Sequence, residues 1–260
     1  MKGLKSLLGV AIASFMLSAP ASAAMVPFDI SINFGSGLSV SQKNVFAQAE
    51  AFWESYLLGY DGTIGFPPGL TITAQGAAND GVGGVLGSAG PTAGYRNASN
   101  NILYASSGNM SFDSADLSNL ETQGTLLSVI VHEMAHVIGF GTLWSYNGLS
   151  VAGSGRYTGQ YALAAYRAEY DASATYVPVE LDGGAGTANS HWDETWSGGP
   201  LEIMTGYLNT PATLSKTTLA AFRDLGYVVF SPEDVPSDVP VPLIAGIALL
   251  GLGLSRRRSF

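Results

Sequence analysis

Three features of the chain predict an α+β fold. Strand-like and helical stretches are interspersed before residue 120, a strongly apolar helix spans about 125 to 140, and the rest is mostly helix and loop. This order predicts two lobes around a cleft, an N-terminal sheet lobe and a helix-and-loop lobe, with the apolar helix between them.

The two ends do not read as fold. Met1 to Ala23 has the form of a secretory signal: Lys2 and Lys5, an apolar run from Leu7 to Leu17, then Ala21-Ser22-Ala23 as a cleavage site. The run is too short to span a bilayer. Residues 24–230 are long enough for one domain with its own core. Residues 231–240 form a proline-rich acidic linker. Residues 241–260 hold an apolar run, Val241 to Leu254, and then Arg256, Arg257 and Arg258.

Between residues 24 and 235 only six Lys or Arg face 19 Asp or Glu, a net charge near −13. Such a field repels phosphate backbones and excludes nucleic acid as a partner class. There is no cysteine in the chain, so no thiolate ligand and no thiol-based latency device is available within it.

Along the domain, Phe28 to Phe34 alternates apolar and polar residues and predicts a strand. Ser39 or Ser41 caps a helix running to about Leu58, with Val45, Phe46, Ala49, Trp53 and Leu57 on its apolar face. Leu70 to Ala74 is a second strand. The glycine-rich stretch 79–90 reads as an irregular loop or an edge; it lacks the lysine and the strand–loop–helix setting of a phosphate loop. Ile102-Leu103-Tyr104 is a short strand. Thr125 to Phe140 is apolar nearly all round, as a buried central helix is, and Gly139 and Gly141 end it. A helix over about 159–169, a helix over 215–225 closed by Gly226, and a strand over 227–230 complete the domain.

All three histidines fall in one pattern. His132-Glu133-Met134-Ala135-His136 places two imidazoles one turn apart on one helix face, the spacing a tetrahedral Zn²⁺ needs. Glu133 between them can hold a metal-activated water and take its proton. A buried carboxylate in so apolar a helix is costly without a charged partner or a metal. These residues predict a zinc hydrolase, and a peptidase first among that class. A third protein ligand is required, leaving a position for water. Two residues qualify by spacing, Glu169 and His191, and Gly139 is where the chain could turn away from the helix. Calcium near Asp80 or Asp182 is a weaker reading, since glycine-rich turns take aspartate without metal.

The chain resembles a leishmanolysin-type metzincin. The stretches that carry the resemblance are His132-Glu-Met-Ala-His-Val-Ile-Gly-Phe140, Asp182-Gly-Gly-Ala-Gly-Thr187, His191-Trp192, Leu201-Glu-Ile-Met-Thr-Gly-Tyr-Leu208 and Leu219-Ala-Ala-Phe-Arg-Asp-Leu-Gly-Tyr227. The resemblance implies a metzincin-like two-lobed catalytic domain in which His132, His136 and His191 bind zinc. It implies Glu133 as general base and Met204 as the methionine turn under the metal. The chain departs from the protozoan members in having no cysteine, so a cysteine-switch propeptide is unsupported. It also has one residue more than expected before Met204, which shifts Glu202. Tyr207, three after Met204, either donates to the developing oxyanion or packs. Trp192 is expected to pack beside His191 and orient its ring; Asp193 and Glu194 are expected to be solvated.

The function implied is a secreted zinc endopeptidase acting on protein or peptide substrates. A non-catalytic, zinc-stabilised surface or matrix protein is the alternative. The proline-bearing linker, apolar run and arginine cluster resemble the exosortase-recognised C-terminal sorting signals of Gram-negative bacteria. That implies export, transient membrane association and a sorting peptidase as partner; a simple tail anchor is the alternative.

Overall fold

The structure, a computed structural model, describes residues 26–61, 69–230 and 239–240. The predicted signal, most of the linker and the segment from 241 onward lie outside the described residues. Those described form a mixed α/β structure with five α-helices and one principal sheet.

The first half builds that sheet from β1 (Ile30–Phe34), β3 (Leu70–Ala77), β4 (Gly87–Arg96) and β5 (Leu103–Asp113) in the order β1-β3-β5-β4. The first three are parallel, and β4 runs antiparallel to β5 along one edge. Strand β3 alternates strictly, with Leu70, Ile72 and Ala74 buried and Thr71, Thr73 and Gln75 exposed. Helix α1 (Val40–Tyr56) joins β1 to β2 (Leu57–Tyr60). Ser39 caps it: its hydroxyl accepts from Gln42 N while the Gln42 side chain accepts from Ser39 N. Phe46 of α1 meets Phe112 of β5 edge-on at 5.3 Å between ring centroids.

Helix α2 (Leu117–Gln123) leads into α3 (Leu126–Ile138), in which only Leu127 and His132 are not buried. Two bonds anchor α3 from outside. Trp53 Nε1 donates to Val131 O at 3.0 Å, and Tyr227 Oη donates to Ile138 O at 2.9 Å, satisfying one of the carbonyls left open at a helix C-terminus. Glycines in these strands let the helix lie close against β4 and β5. A Cβ on Gly108 would strike Val137 of α3 and the Gly90 backbone.

After α3 come β6 (Arg156–Tyr157), α4 (Gln160–Glu169), β7 (Val177–Pro178), β8 (Thr213–Leu214), α5 (Lys216–Asp224), β9 (Tyr227–Val229) and β10 (Val239–Pro240). Helices α4 and α5 cap each other. Asp224 at the end of α5 accepts from Tyr161 N and Ala162 N, and Glu169 at the end of α4 accepts from Lys216 N and Thr217 N. Each carboxylate sits on the other helix's positive end. Strand β9 returns to pair with β2, tying the end of the domain to its beginning.

The predicted helices and the strands at 28–34, 70–74 and 227–230 are present with small shifts at their ends. Leu57, expected on the face of the first helix, instead opens β2, helix α2 was not expected, and two further stretches differ. The glycine-rich region resolves into turns as far as Leu86 and then an edge strand, β4, of 10 residues. The short strand expected at 102–104 is the start of one of 11 residues. Both are rich in Gly, Ser, Ala and Asn, poor strand formers alone. Pairing of β5 with β3 and of β4 with β5, together with the close approach of α3, decides their state.

Candidate metal centre

Helix α3 sets His132 and His136 one turn apart, and the loop after β7 brings His191 to them. The three Nε2 atoms form a near-equilateral triangle: His132–His136 3.0 Å, His136–His191 3.0 Å, His132–His191 3.1 Å. A backbone carbonyl turns each ring. Nδ1 of His132 donates to Ile203 O at 2.6 Å, that of His136 to Phe140 O at 2.9 Å, and that of His191 to Thr187 O at 2.8 Å. A carbonyl only accepts, so each Nδ1 carries the hydrogen and each neutral ring points a bare Nε2 lone pair inward. Three converging lone pairs repel one another, and a cation among them removes the conflict. Zinc at 2.0–2.1 Å from each of three tetrahedrally placed nitrogens sets them ~3.3 Å apart, so the donor set fits this ion.

Burial keeps the rings neutral. It pushes His132 down to about 3, with the His191 ring adding to the shift, and lowers His136 and His191 for the same first reason. Neutral imidazole is the form that ligates.

Glu133 is 7% exposed and lies against β4, where a Cβ on Gly87 would come within 3.0 Å of its Cγ and Oε1. Burial alone pushes its carboxyl up to about 8. A cation held by the neighbouring histidines opposes that shift and favours the carboxylate. The glycine at 87 leaves room for this side chain in the cleft wall.

The turn that follows α3 is sterically demanding. Gly139 has φ +134° and Gly141 φ +72°, and a Cβ on Gly141 would collide with the backbone of Ser190, next to His191. The chain then returns through an antiparallel contact: Glu180 N donates to His191 O at 3.0 Å and Asn189 N to Glu180 O at 2.7 Å. Trp192 N donates to Met204 O at 3.0 Å, joining the histidine loop to the methionine segment. Met204 is fully buried on that segment, one residue after the carbonyl that holds His132.

Four side chains differ from expectation or settle an open choice. Glu169 is not among the clustered histidines; it caps α5, where its oxygens accept three bonds. The His191 ring takes its orientation from Thr187 O rather than from Trp192, which is fully buried. Trp192 Nε1 donates to Thr218 Oγ1, and its ring stacks on Trp144 and Trp196. Glu194 is half-buried rather than solvated: it accepts from Gly206 N at 2.7 Å and hydrogen-bonds the Glu180 carboxyl. Burial, then that contact, pushes it up to about 7, while the same contact holds Glu180 below its ordinary value. Glu202 is buried and accepts from Met204 N at 2.6 Å and from the hydroxyls of Ser215 and Thr218. The three carbonyls that orient the histidines had no sequence signal, since every residue carries one.

The triangle opens on a cleft of about 620 Å³. Leu86 to Ala89, residues of α3 and Gly206 to Asn209 line it. Tyr207 lines it and is 61% exposed.

The family model of leishmanolysin, a peptidase family, matches residues 103–233. The chain belongs to the leishmanolysin family. The matched span begins with β5 and includes α3, the histidine loop, the methionine segment and α5. Comparison with curated proteins gave no match. Leishmanolysin membership and the triangle of histidines together support a zinc metallopeptidase.

Proposed function

We propose that the protein is a secreted zinc endopeptidase. The observation that carries this reading is the set of three Nε2 lone pairs, fixed inward by three backbone carbonyls, beside the buried carboxylate of Glu133 in the lining of an open cleft. His132, His136 and His191 hold the metal. When bound, zinc supplies Lewis acidity, polarising a scissile carbonyl and acidifying water toward neutral pH. Glu133 accepts the proton of the attacking water and delivers it to the leaving amine. Tyr207, on the cleft side, donates to the developing oxyanion. Met204 packs beneath the histidines, where a soft, adaptable side chain suits the space.

The cleft is read as the gap between two lobes, the sheet with α3 and the chain after Gly139. Strand β4 is the sheet's edge and its first residues line the cleft, so an extended peptide adds to it by main-chain hydrogen bonds. Residues 1–23 direct export. The segment from 241 holds the precursor at the membrane until a sorting peptidase removes it, which places the mature protein outside a Gram-negative cell. Mass spectrometry of released protein is expected to end near Pro240; Phe260 at its end contradicts this part.

The test of the activity is hydrolysis of a peptide library by zinc-loaded protein, abolished by chelation and restored by zinc. A zinc-replete wild type that cleaves nothing refutes the reading, and favours a zinc-stabilised non-catalytic protein.

A further inference from the structure

The glycine-rich loop between β3 and β4 supplies part of the cleft lining, yet the chemistry above uses none of its side chains. Its sequence, Asp80-Gly-Val-Gly-Gly-Val-Leu86, has little of its own to hold one shape. Buried carboxylates supply what it lacks. Asp113, the last residue of β5, accepts through Oδ2 from Asp80 N at 3.0 Å and Gly81 N at 2.9 Å. Its own N–H donates to Leu86 O at 3.0 Å. Asp116 stands at the N-cap of α2 but makes no cap bond to its own helix. Its Oδ1 accepts from Gly83 N at 2.8 Å instead. Within the loop, Asp80 Oδ2 accepts from Val85 N at 3.1 Å, and a Cβ on Gly84 would strike that carboxylate. Asp113 and Asp116 are both buried, so the loop hangs from fixed points. What it presents is Val85, an apolar side chain that lines the cleft and is 47% exposed.

We propose that Val85 is a specificity-determining residue, held by the tethered loop 80–86 to receive one apolar side chain of the substrate. Asp113 and Asp116 are positioning residues that act through the loop. Covering a half-exposed valine with an apolar group removes apolar surface from water. A polar side chain placed there loses its own water without gaining a partner. A free glycine loop would have to be ordered at each binding event, which costs affinity. The carboxylates order it beforehand. Leu208 lines the same cleft and is also exposed, so apolar surface flanks the opening on a second segment.

This inference rests on the endopeptidase reading, and the experiment separates the two. Zinc-loaded full protein is assayed on internally quenched peptides in which each position in turn carries Leu or Ser. Wild type should prefer Leu at one position near the scissile bond. In Val85→Ser that preference should fall ~10-fold, the low end for methyl groups lost from an apolar subsite. Preferences at the other positions should stay within about twofold, since no other contact changes. The loss should appear in KM with kcat kept, as for binding that is uniform through the reaction. Fluorescence anisotropy of the Leu peptide on Glu133→Gln protein should show the same weakening when Val85→Ser is added. Asp116→Ala should lose the same preference. Asp116→Asn should keep it, because its oxygen still accepts from Gly83 N. A preference unchanged in Val85→Ser, or reduced equally at every position, overturns the role of Val85. An Asp116→Ala protein with wild-type preference overturns the tether. Should Asp116→Ala fail to fold, Val85→Ser, at an exposed position, still decides the role of Val85. A wild type that cleaves no peptide overturns the endopeptidase reading itself.

Discussion

The two halves of the metal centre are held in place by different means. His132 and His136 stand on α3, a helix buried on nearly every face, and their separation follows from helix geometry. His191 and Met204 stand on chain with almost no regular structure, held by single bonds: Glu180 N to His191 O, Trp192 N to Met204 O, Gly206 N to Glu194. The first half carries its own precision. The second borrows precision from contacts far apart in sequence, so its failures should appear as lost metal rather than as lost fold.

The largest expected effect is on the helix half. Glu133→Gln keeps volume but cannot take a proton, so activity should fall by at least ~10²-fold while zinc remains near one per chain. Turnover retained by the zinc-loaded variant would remove Glu133 from the base role. Next is the loop half. His191→Ala should cut zinc affinity sharply in a competition titration against a chelator, since one of three protein ligands is gone. Gly141→Ala should act in the same direction by displacing Ser190. If Gly141→Ala binds zinc as tightly as wild type, the loop is less dependent on this approach than its packing implies.

A third variant sharpens the contrast from the cleft side. Gly87→Ala presses on Glu133 without touching a histidine, so kcat/KM should fall, by up to ~10²-fold for a misplacement near 1 Å, with zinc affinity unchanged. Loss of zinc in this variant would mean that β4 supports the ligands as well. Smaller still is Glu169→Ala. It removes three hydrogen bonds at the start of α5 and should lower stability by about 1 kcal/mol in denaturant titration, leaving zinc affinity intact. Lost zinc there would make Glu169 the third ligand in place of His191.

The last is a slope rather than a loss. Burial raises Glu202 to about 7 in the folded protein, against 4.5 for the free side chain. The folded state thus binds this proton more tightly than the unfolded chain. Its contribution to stability is full below about pH 4.5 and is lost as pH rises toward 7. Glu202→Gln should flatten that part of the stability–pH curve. An unchanged curve would mean that the hydroxyls of Ser215 and Thr218 and the N–H of Met204 keep the carboxylate ionised throughout.

Much of the centre was legible because of its chemistry. With only three histidines and no cysteine in the chain, the His-Glu-x-x-His spacing and one remaining histidine left few ligand sets to consider. Glu169 stayed open because sequence distance does not tell a ligand from a helix cap. Glu194 was read as solvated because neighbouring acids are usually so, and its partner Glu180 lies 14 positions away. Strand β4 and most of β5 were missed because glycine, serine and alanine carry little strand signal. They are strands because β3 pairs with β5, β5 pairs with β4, and α3 packs closely against both.

By itself, then, the sequence determined what depends on local periodicity and residue type: the capped helix α1, the apolar helix α3, the alternation in β3, and the identity of the atoms that can bind a metal. Tertiary structure alone decided which carbonyls aim those rings, which glycines make room for Glu133 and Ser190, and where two helices cap each other. Such contacts join backbone groups common to all residues, or small residues with no side-chain preference of their own, and only packing selects among them.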